Sequence, residues 1–150
     1  ELYNESLSIS LEANDNGETM WVYRNMAELE MYQGNHEKAR ELYKKSLEVF
    51  CEYNQRNAMF ILLTLEGIAS LAALDGKLVT AATLFGTTDK LFESSGKLIS
   101  KDDADDYKRR FGEVQAKLDI EAFNSAWNEG RSMSLETAMD FAMQDISGNN

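Results

Sequence analysis

Apolar residues recur at intervals of three and four along most of the chain, which is the period expected of helices that are buried on one face. The clearest stretch has Lys and Glu on its opposite face, and its apolar side is formed by Ala39, Leu42, Tyr43, Ser46, Leu47 and Phe50. The segment 57–75 is apolar on nearly every side, so it is expected at the centre of a helical stack. The pattern predicts an all-α fold.

Turn residues divide this pattern into about eight helices. Glycine, which readily adopts the backbone conformations of turns, is present in each of the breaks, which lie at 14–17, 34–35, 75–76 and 94–96. Ser134 is expected to cap the last helix, and the acidic run from Asp102 to Asp106 suits the positive end of another helix. The predicted helices cover residues 2–13, 18–33, 36–54, 57–75, 77–95, 101–117, 119–130 and 135–145.

Two segments of the chain repeat the same spacing of small residues. Ala27 precedes Gly34 by seven residues and Ala39 follows it by five, and the arrangement recurs forty-two residues later. The second set is Ala69, Gly76 and Ala81. Small residues are needed where two helices cross closely, and glycine is needed where the chain turns between them. The repeat predicts antiparallel helical hairpins.

The turn and second helix of the first hairpin resemble a tetratricopeptide repeat. The matching positions in the first unit are Tyr23, Met26, Ala27, Gly34, Ala39, Tyr43 and Ser46, and those in the second are Leu65, Ile68, Ala69, Gly76, Ala81, Phe85 and Thr88. The units are about forty-two residues apart instead of thirty-four and lack the usual closing proline, which implies longer helices. The resemblance implies one domain over 1–150, a right-handed superhelical array with units at 1–17 (partial), 18–56 and 57–96 and capping helices at 101–146.

A second resemblance covers residues 65–145 and consists of short segments in a fixed order. They are Gly67-Ile68-Ala69, Leu71-Ala72, Ala81-Ala82, Leu84-Phe85-Gly86, Tyr107 with Phe111, Phe123 with Ala126-Trp127 and Gly130, and Met133-Ser134-Leu135-Glu136. This order is similar to the C-terminal helical-repeat region of large bacterial signalling ATPases and LuxR-type transcriptional regulators. The resemblance implies a cytoplasmic sensor or docking region whose ATPase and DNA-binding modules lie elsewhere in a longer chain.

The formal net charge of −11 narrows the classes of partner. Nucleic acids and anionic membrane surfaces attract Lys-rich and Arg-rich proteins, so neither is expected to bind this chain directly. No apolar run approaches the roughly 20 residues that span a bilayer. A protein or peptide with basic patches fits the charge better, and the single cysteine, Cys51, is compatible with a reducing cytoplasm.

The residues that carry chemistry in enzymes do not form a recognisable motif in this sequence. A P-loop requires Gly-Lys followed by Ser or Thr, whereas Gly76-Lys77 and Gly96-Lys97 are each followed by Leu. His36 follows a turn without companion ligands, and Cys51 is expected to be a small buried residue. The acidic run lacks the glycine and spacing of a calcium loop. We therefore expect no enzyme activity, no cofactor and no metal.

The first helix of a tetratricopeptide hairpin lines the concave side of the array, and the resemblance therefore assigns a candidate partner-binding face. Its positions in the helix at 18–33 are Trp21, Arg24, Asn25, Glu28, Met31 and Tyr32, and the next unit contributes Glu66 and Ser70. A mixture of aromatic, Arg, acidic and Met side chains is typical of protein-recognition surfaces. The alternative is that these side chains pack against a preceding repeat.

These observations favour a non-catalytic protein–protein interaction or scaffold module. The alternative is a repeat domain that binds a small effector in its groove.

The chain starts within a helix and without Met, so a fragment of a longer protein is expected. Truncation would leave an apolar edge that favours pairing with a second copy of the chain, and the edge residues are Leu2, Leu7, Ile9 and Leu11.

Overall fold

The computed structural model describes residues 2–53, 58–94 and 101–148, and this part of the chain contains eight helices and no strand, as predicted. The helices are α1 (Leu2–Glu12), α2 (Asn16–Tyr32), α3 (His36–Glu52), α4 (Ala58–Leu74), α5 (Leu78–Ser94), α6 (Lys101–Lys117), α7 (Ile120–Ser132) and α8 (Leu135–Ile146). The predicted boundaries agree within two residues wherever they can be compared. The predicted ends at 54, 57 and 95 and the break at Gly96 lie outside the described residues.

Contacts within the chain group it into two compact units, one from residues 1–57 with 146–150 and the other from residues 58–145. Each unit is built around a helical hairpin, which is α2 with α3 in the first unit and α4 with α5 in the second. The assignment of one domain to the whole chain stays a prediction.

The hairpin of the first unit turns at Gly34. Its φ of 80° lies in the left-handed region that glycine tolerates and most other residues avoid. Ala27 and Ala39, which are predicted at the helix crossing, are fully buried. Ser46 is buried as well, and its hydroxyl donates to the Met20 carbonyl across the hairpin at 2.8 Å. This hydrogen bond fixes the register in which α2 and α3 lie side by side.

The helix α2 begins two residues earlier than predicted because Asp15 caps it. The Asp15 carboxylate accepts from the Glu18 N–H at 2.9 Å, which satisfies one of the N–H groups left over at a helix start. The helix α1 packs on α2, and there the Thr19 hydroxyl donates to the Ser10 hydroxyl at 3.0 Å in buried surroundings. The break predicted at residues 14–17 therefore lies in the first half of that range, at Asn14 and Asp15.

The helix α5 lies at the centre of the second unit, in contact with α4, α6 and α7. Residues 81–88 are buried without interruption, although three of them are threonines. Each threonine hydroxyl donates to a carbonyl: Thr83 to Val79 at 3.0 Å, Thr87 to Gly130 at 2.9 Å and Thr88 to Phe85 at 3.0 Å. Because these polar groups are satisfied, this stretch of α5 can be buried on every side.

The helices α5 and α7 cross with their backbones in contact, since each has a glycine at the crossing. A methyl group added at Gly86 would overlap the Trp127 carbonyl, and one added at Gly130 would lie 2.7 Å from the Thr83 carbonyl carbon. The sequence predicts α7 only as part of a cap on the last hairpin. The structure makes α7 a direct partner of α5.

An aromatic cluster joins α5, α6 and α7. Its rings have centroids between 5.0 and 6.2 Å apart and belong to Phe85, Tyr107, Phe111, Phe123 and Trp127. Arg131 of α7 adds a polar link, because its guanidinium donates to the carboxylates of Asp89 and Glu93 on α5. Aromatic packing therefore holds the three helices together, and ion pairing reinforces the contact between α5 and α7.

The last helix, α8, is held at its beginning and near its end. Ser134 accepts a hydrogen bond from the Thr137 N–H at 3.1 Å, which confirms the predicted cap. Asp145 is buried and accepts from the Lys77 ammonium at 2.8 Å. This ion pair connects α8 to the turn of the second hairpin, where Gly76 has a φ of 77°.

Candidate functional site

The candidate residues of α2 share one side of the helix but differ in how far solvent reaches them. Tyr32 is 59% exposed, whereas Met31 is 3% exposed and offers a partner almost no area. The remaining four are half-buried, namely Trp21, Arg24, Asn25 and Glu28. We use the name α2 surface for Trp21, Arg24, Asn25, Glu28 and Tyr32.

Arg24 is held in a fixed position on the α2 surface. Its Nη1 donates to Glu28 Oε2 at 2.9 Å and to Asn25 Oδ1 at 3.0 Å. Its Nε is buried and has no hydrogen-bond partner among the described residues. Trp21 and Tyr32 flank it along the helix, and these three residue types are enriched at the energetic centres of protein interfaces.

The two candidates on α4 belong to the second unit. Glu66 is half-buried. Ser70 is buried, and its hydroxyl donates to the Glu66 carbonyl at 2.9 Å, which is a common arrangement for serine inside a helix. Burial therefore removes Ser70 and Met31 from the surface that a partner can reach. The assignment of the other candidates to a partner stays a prediction.

The second unit contains a pocket of about 140 Å³ between α4, α5 and α6. Its lining is largely apolar, with Leu62 and Phe92, and it carries polar groups from Glu66, Asp89 and Tyr107. Of these lining residues, the sequence predicts only Glu66 as part of a site. The other side chains come together because α6 folds back onto α4 and α5. The spacing of Tyr107 and Phe111 indicates one face of a helix, but it carries no sign of a pocket.

Tyr107 supplies a buried polar atom to this pocket. Its ring stacks on Phe111 with centroids 6.0 Å apart and meets Phe85 edge-on at 5.6 Å. Its hydroxyl has no hydrogen-bond partner of normal geometry among the described residues, and the neighbouring Thr88 hydroxyl donates to the Phe85 carbonyl. Burial, and then the charge of Asp89, raise the pKa of Tyr107, so the phenol is protonated at neutral pH and can donate.

A smaller depression of about 110 Å³ lies in the first unit, beside Glu30 and Lys38. Lys38 and Asn35 both donate to the Glu30 carboxylate, and these bonds lower the pKa of Glu30. Its charged groups already satisfy one another, so it offers a ligand less than the pocket between α4, α5 and α6 does.

Cys51 is exposed, so the expectation that it is a small buried residue is wrong. The hydrogen bond from Ser46 to Met20 places these two residues level in the hairpin. Five residues further along α3, Cys51 is level with Asp15, where α2 begins. The apolar stripe of α3 thus continues past the end of the helix that covers it.

No group of three or more His, Cys, Asp or Glu in residues 2–53, 58–94 and 101–148 is arranged to hold a metal ion. In the same ranges, none of the helices combines the length and apolar character required for crossing a bilayer.

Antiparallel hairpins that recur along the chain, with a mixed aromatic and charged surface on the first helix of a hairpin, define an α-helical repeat protein. Among protein-family models, the tetratricopeptide repeat matches residues 1–52 and again residues 18–88. The two matches together cover residues 1–88, which is more than half of the chain, and the chain therefore belongs to the tetratricopeptide repeat family. No curated protein and no solved structure matches the chain.

Membership of this family confirms the first resemblance and gives a class of function. Tetratricopeptide repeats generally mediate protein–protein interaction and are typically non-catalytic. The match ends within α5, so the helices α6 to α8 lie beyond it.

Proposed function

We propose that this chain is a non-catalytic docking or sensor region of a larger bacterial regulator and that it binds a protein or peptide through the α2 surface. The observation that carries the proposal is the fixed Arg24, flanked by Trp21 and Tyr32 on a partly exposed side of α2. A side chain that is already positioned loses little freedom when a partner binds it. Family membership supports the same class of function.

The context of the proposed interaction follows from the remaining sequence features. The order of short segments over residues 65–145 supports a place in a bacterial signalling ATPase or LuxR-type regulator that works in the cytoplasm. The net charge of −11 favours a partner with a basic surface, whose approach it would accelerate. The same charge disfavours direct binding of nucleic acid or of an anionic membrane.

Peptides that are selected for binding to the wild-type chain test whether the α2 surface is the binding site. Random peptides displayed on phage are panned against the wild-type chain, and enriched peptides are synthesised for titration calorimetry. Arg24→Ala and Tyr32→Ala are each expected to weaken binding about tenfold, because truncating an interface hot spot costs roughly 1–2 kcal/mol or more. Glu41→Ala is the matched control, since Glu41 is exposed on α3 instead of α2.

The control variant is expected to bind with wild-type affinity. If both α2 variants fold and also bind the selected peptides with wild-type affinity, the α2 surface is not the binding site. If panning enriches no peptide at all, the class of partner is wrong.

We further propose that the apolar edge of α1 pairs with a second copy of the chain. Leu2 is 81% exposed and Ile9 is 61% exposed, and their separation of seven residues puts both on one face of the helix. Ile9→Glu is expected to shift sedimentation from dimer to monomer, because a carboxylate is costly in an apolar interface. Val79→Glu, at an exposed apolar residue of α5 outside this edge, is expected to leave the dimer intact. A wild-type chain that sediments as a monomer across the concentration series contradicts this pairing.

A further inference from the structure

The pocket between α4, α5 and α6 has the size of one aromatic ring. Its volume of about 140 Å³ is close to that of an engineered protein cavity of roughly 150 Å³ that takes up benzene. Sites for whole drug-sized molecules usually measure about 300–1,000 Å³. A single ring projecting from a larger partner therefore fits this pocket better than an entire small effector does.

The walls of the pocket favour an aromatic guest that carries a polar atom. Leu62 and Phe92 provide apolar contact, and the rings of Phe92 and Tyr107 offer the faces and edges against which aromatic guests pack. The Tyr107 hydroxyl is buried and lacks a hydrogen-bond partner among the described residues. A guest with a hydroxyl of its own can satisfy this group, whereas a purely apolar guest leaves it unmatched.

Tyr107 is positioned before any guest arrives. Its ring is stacked on Phe111 and in edge contact with Phe85, so the hydroxyl cannot swing freely towards solvent. A hydrogen bond to a pre-positioned group requires little additional ordering on binding.

The charges at the pocket indicate which kinds of residue flank the bound ring in the partner protein. The carboxylates of Glu66 and Asp89 both line the pocket, Lys108 contributes a cation, and Asp89 is already paired with Arg131. The preference therefore rests on Glu66 and on the net charge of −11, which opposes an anionic guest such as a phosphorylated tyrosine. Both favour basic residues next to the bound ring.

We propose that this pocket binds the side chain of a tyrosine flanked by basic residues in a partner protein, and that the tyrosine hydroxyl forms a hydrogen bond with Tyr107. The pocket belongs to the second unit, so the proposal does not depend on the α2 surface.

Two small probes test the hydrogen bond. p-Cresol and toluene reproduce the side chains of tyrosine and phenylalanine, and their binding is followed by NMR shifts of the backbone amides. Tyr107→Phe keeps the ring that stacks on Phe111 and removes only the hydroxyl. It is expected to lower the ratio of p-cresol affinity to toluene affinity about fivefold, since one neutral hydrogen bond accounts for a factor of that order.

Two short peptides test the chemistry of the partner. One has a tyrosine between two arginines and the other a tyrosine between two glutamates, and both have blocked ends. The arginine peptide is expected to bind wild type at least about threefold more tightly, with a difference that shrinks at high salt and in Glu66→Gln. Glu113→Gln is the matched control, because Glu113 is an exposed acid on α6 outside the pocket lining, and it is expected to preserve the difference.

Three results would overturn the proposal. An unchanged affinity ratio in Tyr107→Phe would remove the hydrogen bond and with it the preference for tyrosine. Binding of p-cresol without binding of either peptide would make the guest a free phenol instead of a protein side chain. Loss of arginine-peptide binding in Arg24→Ala but not in Tyr107→Phe would assign the peptide to the α2 surface.

Discussion

Gly130→Ala is expected to lower the free energy of unfolding of the second unit by about 2–4 kcal/mol, as estimated from the cost of over-packing and of a weakened buried hydrogen bond. The added Cβ would overlap the Thr83 carbonyl oxygen and lie 3.1 Å from the Thr87 nitrogen. These are backbone atoms of α5, which cannot rotate away as the end of a flexible side chain can. The two helices must therefore separate, and the hydrogen bond from Thr87 to the Gly130 carbonyl weakens.

Urea denaturation followed by circular dichroism measures this effect. Gly86→Ala is expected to act in the same direction, because its Cβ would meet the backbone of Trp127. Gly112→Ala is the matched control: Gly112 lies inside α6, and no atom lies within 4 Å of the position that its Cβ would take. There alanine is expected to stabilise the protein by about 0.5–1 kcal/mol through its better helix propensity. Equal effects at positions 130 and 112 would contradict a close crossing of α5 and α7.

The glycines show how unevenly the sequence reveals the fold. Gly34 and Gly76 are predicted as turns, because each stands between repeated alanines at a break in the helical period, and their φ angles of 80° and 77° confirm it. Gly86 and Gly130 lie inside helices, where glycine is disfavoured by about 1 kcal/mol relative to alanine. The reason for their presence is a contact between helices more than forty residues apart, which no local pattern encodes.

Hydrophobic periodicity predicts which side of a helix is covered, but not how far the cover extends. The stripe of α3 from Ala39 to Phe50 is buried as predicted. The next residue, Cys51, is exposed, because it is level with Asp15 and no turn of α2 precedes that residue to cover it. In α5 burial extends beyond the apolar residues, since threonines such as Thr87 are buried with their hydroxyls satisfied by carbonyls.

The candidate site is predictable where it depends on one helix and hidden where it depends on several. Spacing along α2 is sufficient to place Arg24 and Tyr32 on one side, although Met31, at the margin of that side, is buried. The pocket in the second unit requires α6 to return to α4 and α5. Tyr107 and Phe92 therefore could not be joined to Glu66 before the tertiary fold was known.

Phe111→Ala is expected to lower the free energy of unfolding of the second unit by about 3 kcal/mol, the lower end of the range for Phe→Ala in protein cores, because Phe111 is only half-buried. Its ring lies 5.0 Å from Trp127 and 5.4 Å from Phe123 on α7, and 6.2 Å from Phe85 on α5. Removing it leaves a cavity where three helices meet, with the loss of aromatic contacts to each neighbour.

Trp127 reports this change directly. In a Trp21→Phe background the remaining tryptophan fluorescence comes from the cluster, and Phe111→Ala is expected to lower the urea midpoint and shift the emission to the red. Tyr32→Ala, which removes an exposed aromatic ring from α2, is the control and is expected to cause a much smaller loss. Equal losses in the two variants would contradict a structural role for the cluster.

The same substitution links stability to the pocket, because Tyr107 stacks on Phe111. Without that support the Tyr107 ring gains freedom, so binding of p-cresol is expected to weaken even at temperatures where Phe111→Ala is fully folded. Phe111→Leu restores apolar volume without a ring to stack on, so it is expected to recover more of the stability than of the p-cresol affinity. If stability and affinity recovered in parallel, Phe111 would act on the pocket only through the fold.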